Sequence, residues 1–211
     1  MHKYIIMGPQ GSGKGTQGRR LAKSYDLVHI SVGEIFRWNI QNHTKLAAHV
    51  RRIVEQGQLV PDEIVDEIVR DRLEQHDWNY GFVLDGFPRN EPQACFFLER
   101  YDIDAVIQLD MPDEIVFERT LLRRICKQCG LDYNLFYHRP TVPGVCDVCQ
   151  GPLAMRSDDQ PEAIRKRLDD YQKKTKPITD LFRRKELVIT IDAAQDEDTI
   201  FASVKEELGL K

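Results

Sequence analysis

A glycine-rich segment, GPQGSGKGT at residues 8–16, constrains the fold of this chain more than any other part of the sequence. An isoleucine-rich apolar run at 3–7 precedes it, and a helical pattern follows from Lys14. Glycines allow a tight turn in which successive N–H groups point at one anion, and the N-terminus of the following helix favours the same anion. Lys14 adds a mobile positive charge suited to β- and γ-phosphates. The pattern predicts a phosphate-binding loop, although Gly15 takes the usual serine or threonine position and Thr16 is displaced by one.

Further short apolar runs alternate with helical patterns along the chain. Strands are predicted at 27–30, 81–86, 105–109 and 187–191. Pro61 and Pro112 are each predicted to open a helix, and a last helix ends the chain. This alternation predicts an α/β fold, in which helices cover both faces of a parallel sheet. Apolar residues make up 41% of the 211 residues, which is enough to form such a core.

Charge and hydropathy exclude several classes of protein. A net charge of -4 argues against a dedicated DNA-binding protein, which usually carries a basic excess. No stretch approaches the roughly 18 consecutive apolar residues that span a bilayer. The glycine-rich turn begins at Gly8, which leaves no room for a signal peptide before it. We therefore expect a cytoplasmic protein.

Four of the five cysteines form two C-x-x-C pairs. Their spacing is Cys126-x2-Cys129-x16-Cys146-x2-Cys149, and in a reducing cytosol such clustering favours a metal site over disulfides. Four thiolates suit Zn²⁺, with iron as the alternative, and leave no ligand position for water, so the metal is predicted to be structural. The surrounding insertion is too small to build a core, and a metal supplies the missing stability. Cys95, outside the cluster, is predicted to be a buried or half-buried thiol.

Asp85 and a set of arginines are candidates for a nucleotide site. Asp85 ends the apolar run in GFVLDGFPR at 81–89, at the strand edge where α/β proteins bind ligands. It is a candidate for holding Mg²⁺ through water, although it could instead initiate the turn at Gly86. Asp110 also ends a strand, where capping the next helix is an equal alternative. Guanidinium groups stabilise the charge of a transferring phosphoryl group, and the candidates are Arg37, Arg89, Arg119, Arg123, Arg156 and Arg167.

With these motifs in order, the chain resembles the adenylate kinases of the long type, which carry a lid inserted over the active site. The matching segments are GPQGSGKGTQ at 8–17, HISVGEIFR at 29–37, GQLVPDEIV at 57–65, GFVLDGFPRNEPQA at 81–94, RRIC at 123–126, RSDD at 156–159 and IRKRL at 164–168. They cover nearly the whole chain.

The resemblance implies a fold and its division. The fold is that of a P-loop kinase, with a five-stranded parallel sheet flanked by helices and a small zinc-bearing lid. Residues 1–121 and 160–211 would form the core, and residues 31–60 within it the helical segment that binds the nucleoside monophosphate. Residues 122–159 would form the lid.

The resemblance also implies an activity, ATP + AMP ⇌ 2 ADP with Mg²⁺, in a monomer that binds free nucleotides and neither nucleic acid nor membrane. ATP would contact Gly11, Ser12, Gly13, Lys14, Gly15, Thr16, Arg119 and Arg123, with Arg119 against the adenine. AMP would contact Ser31, Val32, Arg37, Gln58, Val60, Gly86, Arg89, Gln93, Arg156 and Arg167. The catalytic residues would be Lys14, Asp85, Arg89, Arg123, Arg156 and Arg167.

Individual roles follow from the same resemblance. Arg37 and Arg89 would bind the α-phosphate of AMP, and Gln93 would recognise its adenine. Asp158 and Asp159 would orient arginines or help to hold the closed lid. Asp159 has a second interpretation, capping the following helix in a capping box with Glu162.

Two departures from the family pattern bear on the acceptor. Val32 stands where adenylate kinases usually have threonine and UMP/CMP kinases have alanine, whereas Gln93 favours adenine because the pyrimidine kinases typically have asparagine there. Ala193 stands where the family often has glycine, near the ATP base. AMP is the expected acceptor, with a UMP- or CMP-preferring kinase as the alternative. From other classes, the alternatives are a nucleic-acid-binding NTPase with a zinc ribbon and a structural zinc protein with a degenerate phosphate loop.

Overall fold

The structure, a computed structural model, describes residues 2–77 and 80–210. In chain order the described elements are β1 (Lys3–Met7), α1 (Lys14–Tyr25), β2 (Val28–Ser31), α2 (Val32–Gln41), α3 (Lys45–Glu55), α4 (Asp62–Glu74), β3 (Phe82–Asp85), α5 (Glu91–Leu98), β4 (Ala105–Asp110), α6 (Asp113–Leu121), β5 (Arg123–Cys126), β6 (Asp132–Asn134), β7 (Leu153–Ala154), α7 (Pro161–Asp170), a π-helical turn (Tyr171–Thr175), α8 (Ile178–Arg183), β8 (Val188–Asp192) and α9 (Glu197–Glu207).

The core is a five-stranded sheet in the order β2-β3-β1-β4-β8, and every pairing in it is parallel. The predicted α/β class and five-stranded parallel sheet are thereby confirmed. The register places Ser31 beside Asp85 and Ile6 beside Asp85 on the other side. The loop after β1 therefore lies at the same sheet edge as these two polar residues.

Helices cover both faces of the sheet. Successive strand residues point to opposite faces, so Ile5 and Leu84 belong to one apolar cluster whereas Ile6 and Val83 belong to another. Helices α2 to α5 and α8 pack on the first cluster, and α1, α6 and α9 pack on the second. Because both faces of this sheet are covered, its central strands are apolar runs that can be recognised in the sequence.

Two helices begin one residue later than predicted, directly after a proline. Helix α4 begins at Asp62 and α6 at Asp113, and Pro61 and Pro112 are their N-cap residues, with ψ of 139° and 141°. An N-cap keeps an extended ψ, so neither proline is the first helical residue. Asp110 is the last residue of β4 and does not cap α6, so that alternative was wrong.

Between α6 and α7 the chain forms a separate antiparallel sheet, ordered β6-β5-β7. Its own apolar cluster has three buried members, Cys126, Tyr133 and Cys146. We call residues 122–159 the lid; these bounds remain the prediction made above. Within the described ranges, no helix combines the length and the apolar character that crossing a bilayer requires.

Candidate active site

A cleft of about 380 Å³ opens at the carboxyl edge of the core sheet and lies beneath the lid. Every nucleotide-site residue predicted from the sequence lines it, from the phosphate loop to the lid arginines. The four clustered cysteines lie outside it. The folded chain therefore brings the predicted nucleotide residues together and keeps the cysteine cluster apart from them.

The phosphate loop has the backbone geometry that the sequence predicts. Gly8 has a φ of +148°, and a Cβ there would lie 2.5 Å from the carbonyl oxygen of Leu109. Helix α1 begins at Lys14 after Gly13, which is left-handed and offers no side-chain cap. The first N–H groups of α1 consequently have no capping side chain, and helix N-termini of this kind bind anions.

Lys14 lies half-buried at the floor of the cleft. Its Nζ donates to the carbonyl oxygen of Pro9 at 2.7 Å. The pKa of Lys14 is lowered to about 8, first by burial and then by the positive charges of Arg89 and Arg123, while the charge of Asp85 opposes the shift. The protonated amine is thus short of negative charge, which a bound phosphate would supply.

Asp85 lies beside the first turn of α1. Its Oδ2 accepts a hydrogen bond of 3.0 Å from Ser31 Oγ and lies 3.5 Å from where a Cβ on Gly15 would be. The carboxylate is buried and faces the phosphate loop. This position fits a carboxylate that holds a hydrated cation next to bound phosphates.

The lid arginines and Arg167 reach the cleft in ion pairs with aspartates. Arg123 contacts both carboxylate oxygens of Asp159, with Nε 2.8 Å from Oδ2, and Arg167 pairs with Asp158. Burial acts to raise the pKa of Asp158, but the neighbouring guanidinium groups, Arg167 first, bring it down to about 2. These contacts hold the long side chains in defined positions around the cleft.

Asp159 does not cap helix α7. The N-cap of that helix is Gln160, and the fully buried Asp159 carboxylate is instead engaged by Arg123. The capping-box interpretation was therefore wrong. An ion pair with a nearly buried guanidinium takes the carboxylate oxygens that a cap would have used.

Burial and neighbouring positive charges lower the pKa values of three arginines in the cleft. Burial lowers the pKa of Arg37 to about 10, with the charge of Arg156 as the next cause. The pKa values of Arg89 and Arg156 are also lowered, first by burial and then by Arg167 and Arg123 respectively. Across residues 2–77 and 80–210, no acceptor pairs with the Arg37 guanidinium. Repulsion among these partly desolvated cations favours an anionic ligand here.

Arg119 is fixed near the opposite end of the cleft. Its guanidinium donates to the carbonyl oxygens of Ala193, Ala194 and Gln195 at 2.8, 3.0 and 3.0 Å. The ring of Tyr137 lies over it, 4.4 Å from the guanidinium carbon. Arg119 is fixed by three carbonyl groups and one ring, so its predicted role against the ATP adenine would depend on stacking and shape.

Sequence reasoning missed the residues that join the lid to the core. Asp132 accepts from Arg156 at 2.6 Å and from Arg19 of α1 at 3.1 Å, and Arg19 also contacts Glu34 of α2 at 2.5 Å. The side chain of Gln41 donates to the carbonyl oxygen of Lys127 in the lid at 3.1 Å. No local sequence pattern marks these positions. In both contacts between the lid and the core, the two partners are at least 86 residues apart in the sequence.

The four cysteine sulfurs form one compact group that can hold a metal ion. All four lie within 4.8 Å of one another, with Cys126 Sγ 3.3 Å from Cys149 Sγ and Cys129 Sγ 3.6 Å from Cys146 Sγ. A tetrahedron of thiolates at zinc–sulfur distances of roughly 2.3 Å has sulfurs about 3.8 Å apart. The donor set and its dimensions therefore fit zinc.

Cys95 is exposed, contrary to the sequence prediction. Helix α5 buries Gln93, Ala94 and Phe97, and Cys95 lies on the other side of that short helix. Its apolar neighbours in the sequence suggested burial, but 3.6-residue periodicity turns this one side chain outward.

Comparison with known proteins gives a consistent result. The family model described as adenylate kinase matches residues 6–187. The chain is similar to an adenylate kinase of Clostridium tetani, 40% identical over 210 residues that cover 97% of each chain. It is also 41% identical over 211 residues to adenylate kinases of Caldanaerobacter subterraneus and Carboxydothermus hydrogenoformans, covering 98% of this chain and 96% and 99% of theirs. The similarity spans the core, the cleft and the cysteine-bearing lid.

Proposed function

Because this chain belongs to the adenylate kinase family and transfers a phosphoryl group reversibly from ATP to AMP, we propose that its cleft binds both nucleotides at once and transfers the group directly between them. The observation that carries this proposal is the convergence of Lys14 and half-buried arginines from the core and the lid on one cleft. An AMP phosphate oxygen is already an anionic nucleophile, so the mechanism needs no general base. Catalysis then rests on positioning and on electrostatic stabilisation.

ATP is assigned to the phosphate loop. The N–H groups at the start of α1 and the Lys14 amine would bind its β- and γ-phosphates. The contacts would come from Gly11, Ser12, Gly13, Lys14, Gly15 and Thr16. Arg119 and Arg123 would complete the ATP site from the lid side. The buried Ser12 Oγ, which has no partner within the described chain, supports a ligand at this position.

AMP is assigned to the side of the cleft formed by α2 and the segment after β3. Arg37, which lacks an acceptor in the described chain, and Arg89 would bind the α-phosphate. Gln93 would contact the adenine. The remaining wall would come from Ser31, Val32, Gln58, Val60 and Gly86, all of which line the cleft.

The transferring phosphoryl group would lie between the two nucleotides, near Arg123, Arg156 and Arg167. Each of these guanidinium groups is already oriented by an aspartate, which spares entropy at the moment of transfer. The contacts of Arg19 with Asp132 and of Gln41 with Lys127 hold the lid over the cleft. A covered cleft excludes water and so limits hydrolysis of ATP.

Mg²⁺ accompanies ATP in adenylate kinases, and Asp85 is the residue that would hold it here. Its buried carboxylate beside Gly15 fits water-mediated contact with an ion on the phosphates. The bound ion supplies charge neutralisation of the phosphate oxygens.

The lid is assigned a structural zinc at Cys126, Cys129, Cys146 and Cys149. Backbone N–H groups of Gln128 and Cys129 point at Cys126 Sγ from 3.4 and 3.5 Å, and such contacts stabilise thiolate ligands. Metal analysis with a visible absorption spectrum distinguishes colourless zinc from coloured iron.

Lys14 gives the reaction a pH dependence. Its pKa of about 8 means that the free enzyme loses this positive charge above pH 8, so kcat/KM for ATP should fall there, approaching about tenfold per pH unit. The Lys14→Arg variant keeps its charge throughout the range and should show no such decline. A wild-type profile that stays flat to pH 9.5 would contradict a phosphate contact by the protonated amine.

A panel of nucleoside monophosphate acceptors with Mg-ATP tests the assignment of the base site. We expect kcat/KM for AMP to exceed that for UMP, CMP or GMP by at least about 100-fold, because a mismatched base leaves buried hydrogen-bonding groups unpaired. Comparable use of UMP or CMP would favour the pyrimidine alternative that Val32 raises. ATP hydrolysis without AMP at the rate of transfer would contradict a closed, water-excluding cleft.

We also propose that the protein acts as a cytoplasmic monomer on free nucleotides, without nucleic acid or membrane. The arginines at positions 123, 156 and 167 pair with aspartates inside the cleft, which disfavours their use as a surface for nucleic acid. The adenylate kinase activity disfavours the zinc-ribbon NTPase and the degenerate-loop alternatives.

A further inference from the structure

The side-chain amide of Gln93 is bound at both ends. Its Oε1 accepts from the backbone N–H of Arg89 at 2.8 Å, and its Nε2 donates to Asp62 Oδ1 at 2.7 Å. Gln93 is buried, with 2% of its surface exposed, and it lines the cleft. The amide therefore has a fixed position at the wall where the acceptor base is assigned.

These partners also determine which end of the amide is which. A backbone N–H can only donate and a carboxylate oxygen accepts, so the oxygen must face Arg89 and the nitrogen must face Asp62. The reversed amide would place N–H against N–H and oxygen against carboxylate. With both contacts made, the amide still has one oxygen lone pair and one N–H hydrogen available for a ligand.

Asp62 is itself held at the junction of two helices. Its Oδ1 also accepts from Asn90 Nδ2 at 2.8 Å, and Asn90 Oδ1 accepts from the backbone N–H of Gln93 at 3.0 Å as the cap of α5. Asp62 is the first residue of α4, where a negative charge is favoured by the helix dipole. The carboxylate is thus fixed by groups other than the amide it contacts.

We propose that Asp62 is a positioning residue that sets the base specificity of the acceptor site through Gln93. The free acceptor and donor of the amide match the amino group and the N1 of a 6-aminopurine. They oppose the carbonyl and N–H of a 6-oxopurine, which present the reverse pattern. This inference rests on the proposed contact between Gln93 and the acceptor base, and it adds the group that orients the contact.

The test compares Asp62→Ala with Glu63→Ala, an exposed neighbour in the same helical turn. For Asp62→Ala we expect KM for AMP to rise about tenfold, with kcat and KM for ATP little changed. IMP carries a 6-oxopurine base, and the ratio of kcat/KM for AMP to that for IMP should fall by a similar factor. Glu63→Ala should leave all of these values unchanged, and Asp62→Asn, which keeps an acceptor oxygen, should restore most of the ratio.

A double-mutant cycle separates this role from a structural one. In a Gln93→Ala background, Asp62→Ala should have no further effect on KM for AMP or on the AMP/IMP ratio. If Gln93→Ala alone leaves KM for AMP unchanged, the proposed base site is wrong. If Gln93→Ala raises KM but Asp62→Ala adds its full effect in that background, or Asp62→Ala never moves the ratio, the positioning role of Asp62 is overturned. If the alanine variant melts early, Asp62→Leu, which is close to aspartate in size and offers no acceptor oxygen, carries the same comparison.

Discussion

Replacing Lys14 with alanine should lower kcat by at least about 100-fold while the melting temperature stays the same or rises. The loss is expected because the lysine charge stabilises the negative charge that develops on the phosphate in the transition state. In a site that excludes water, removing one such group lowers kcat by about that factor. Stability should not suffer, since burial lowers the pKa of Lys14 from 10.5 to about 8. The unfolded chain therefore binds the proton more tightly than the folded chain, and the charge at pH 7 opposes folding.

Two further variants make the Lys14 result specific. Lys14→Met keeps the aliphatic part of the side chain and should lose activity to a similar extent, which excludes a cavity as the cause. Lys23→Ala removes an exposed lysine from the last turn of the same helix and should have no effect on kcat. Steady-state kinetics and thermal melts of all three provide the measurement. Turnover by Lys14→Met within a few-fold of wild type would remove Lys14 from the phosphate site.

Removing the lid metal should unfold the lid at a temperature well below the transition of the core. The lid has only three buried apolar members, and two of them are cysteines of the cluster. Without a metal it would have almost no core, whereas structural zinc contributes on the order of 10 kcal/mol to small domains. Calorimetry of the chelated protein should show a new low-temperature transition, and the core transition should remain. Turnover should persist below the lid transition and disappear above it, because Arg123 and Arg156 belong to the lid.

The control for metal removal is the fifth cysteine. Cys95 is exposed and lies outside the cluster, so Cys95→Ser should retain one metal ion per chain and melt like wild type. Cys146→Ser should bind metal poorly and melt like the chelated protein. Metal content measured on the same samples is needed, because an unaltered melt after verified metal loss would refute a stabilising role.

Local motifs accounted for a large part of the fold and of the site. The phosphate loop was recognisable because its glycines and Lys14 act within a single strand–loop–helix unit. The two C-x-x-C pairs were recognisable because each is a short turn, and the strand-end position of Asp85 followed from the apolar run before it. The parallel class followed from alternation alone, whereas the number of strands rested on the resemblance and their order, β2-β3-β1-β4-β8, required the structure.

The failures of sequence reasoning have physical causes. Asp159 was open to a capping role because its neighbours suit a capping box, but the distant Arg123 takes its carboxylate. Cys95 was expected inside because the helix around it is apolar, but the face of α5 that is buried depends on where the sheet lies. In both cases a local preference of small free energy gave way to a tertiary contact.

The sequence by itself therefore determined the chemistry available to the protein. Its residue types and short spacings act within a few residues and do not depend on the rest of the chain. Folding decided which carboxylate each arginine pairs with, that Asp132 joins the lid to α1, and that Asp62 orients Gln93. The partners in the last contact are 31 residues apart, and those in the lid contact 113. Hydrogen bonds and ion pairs act over a few ångströms, so such pairs exist only once the sheet and its helices have brought distant segments together.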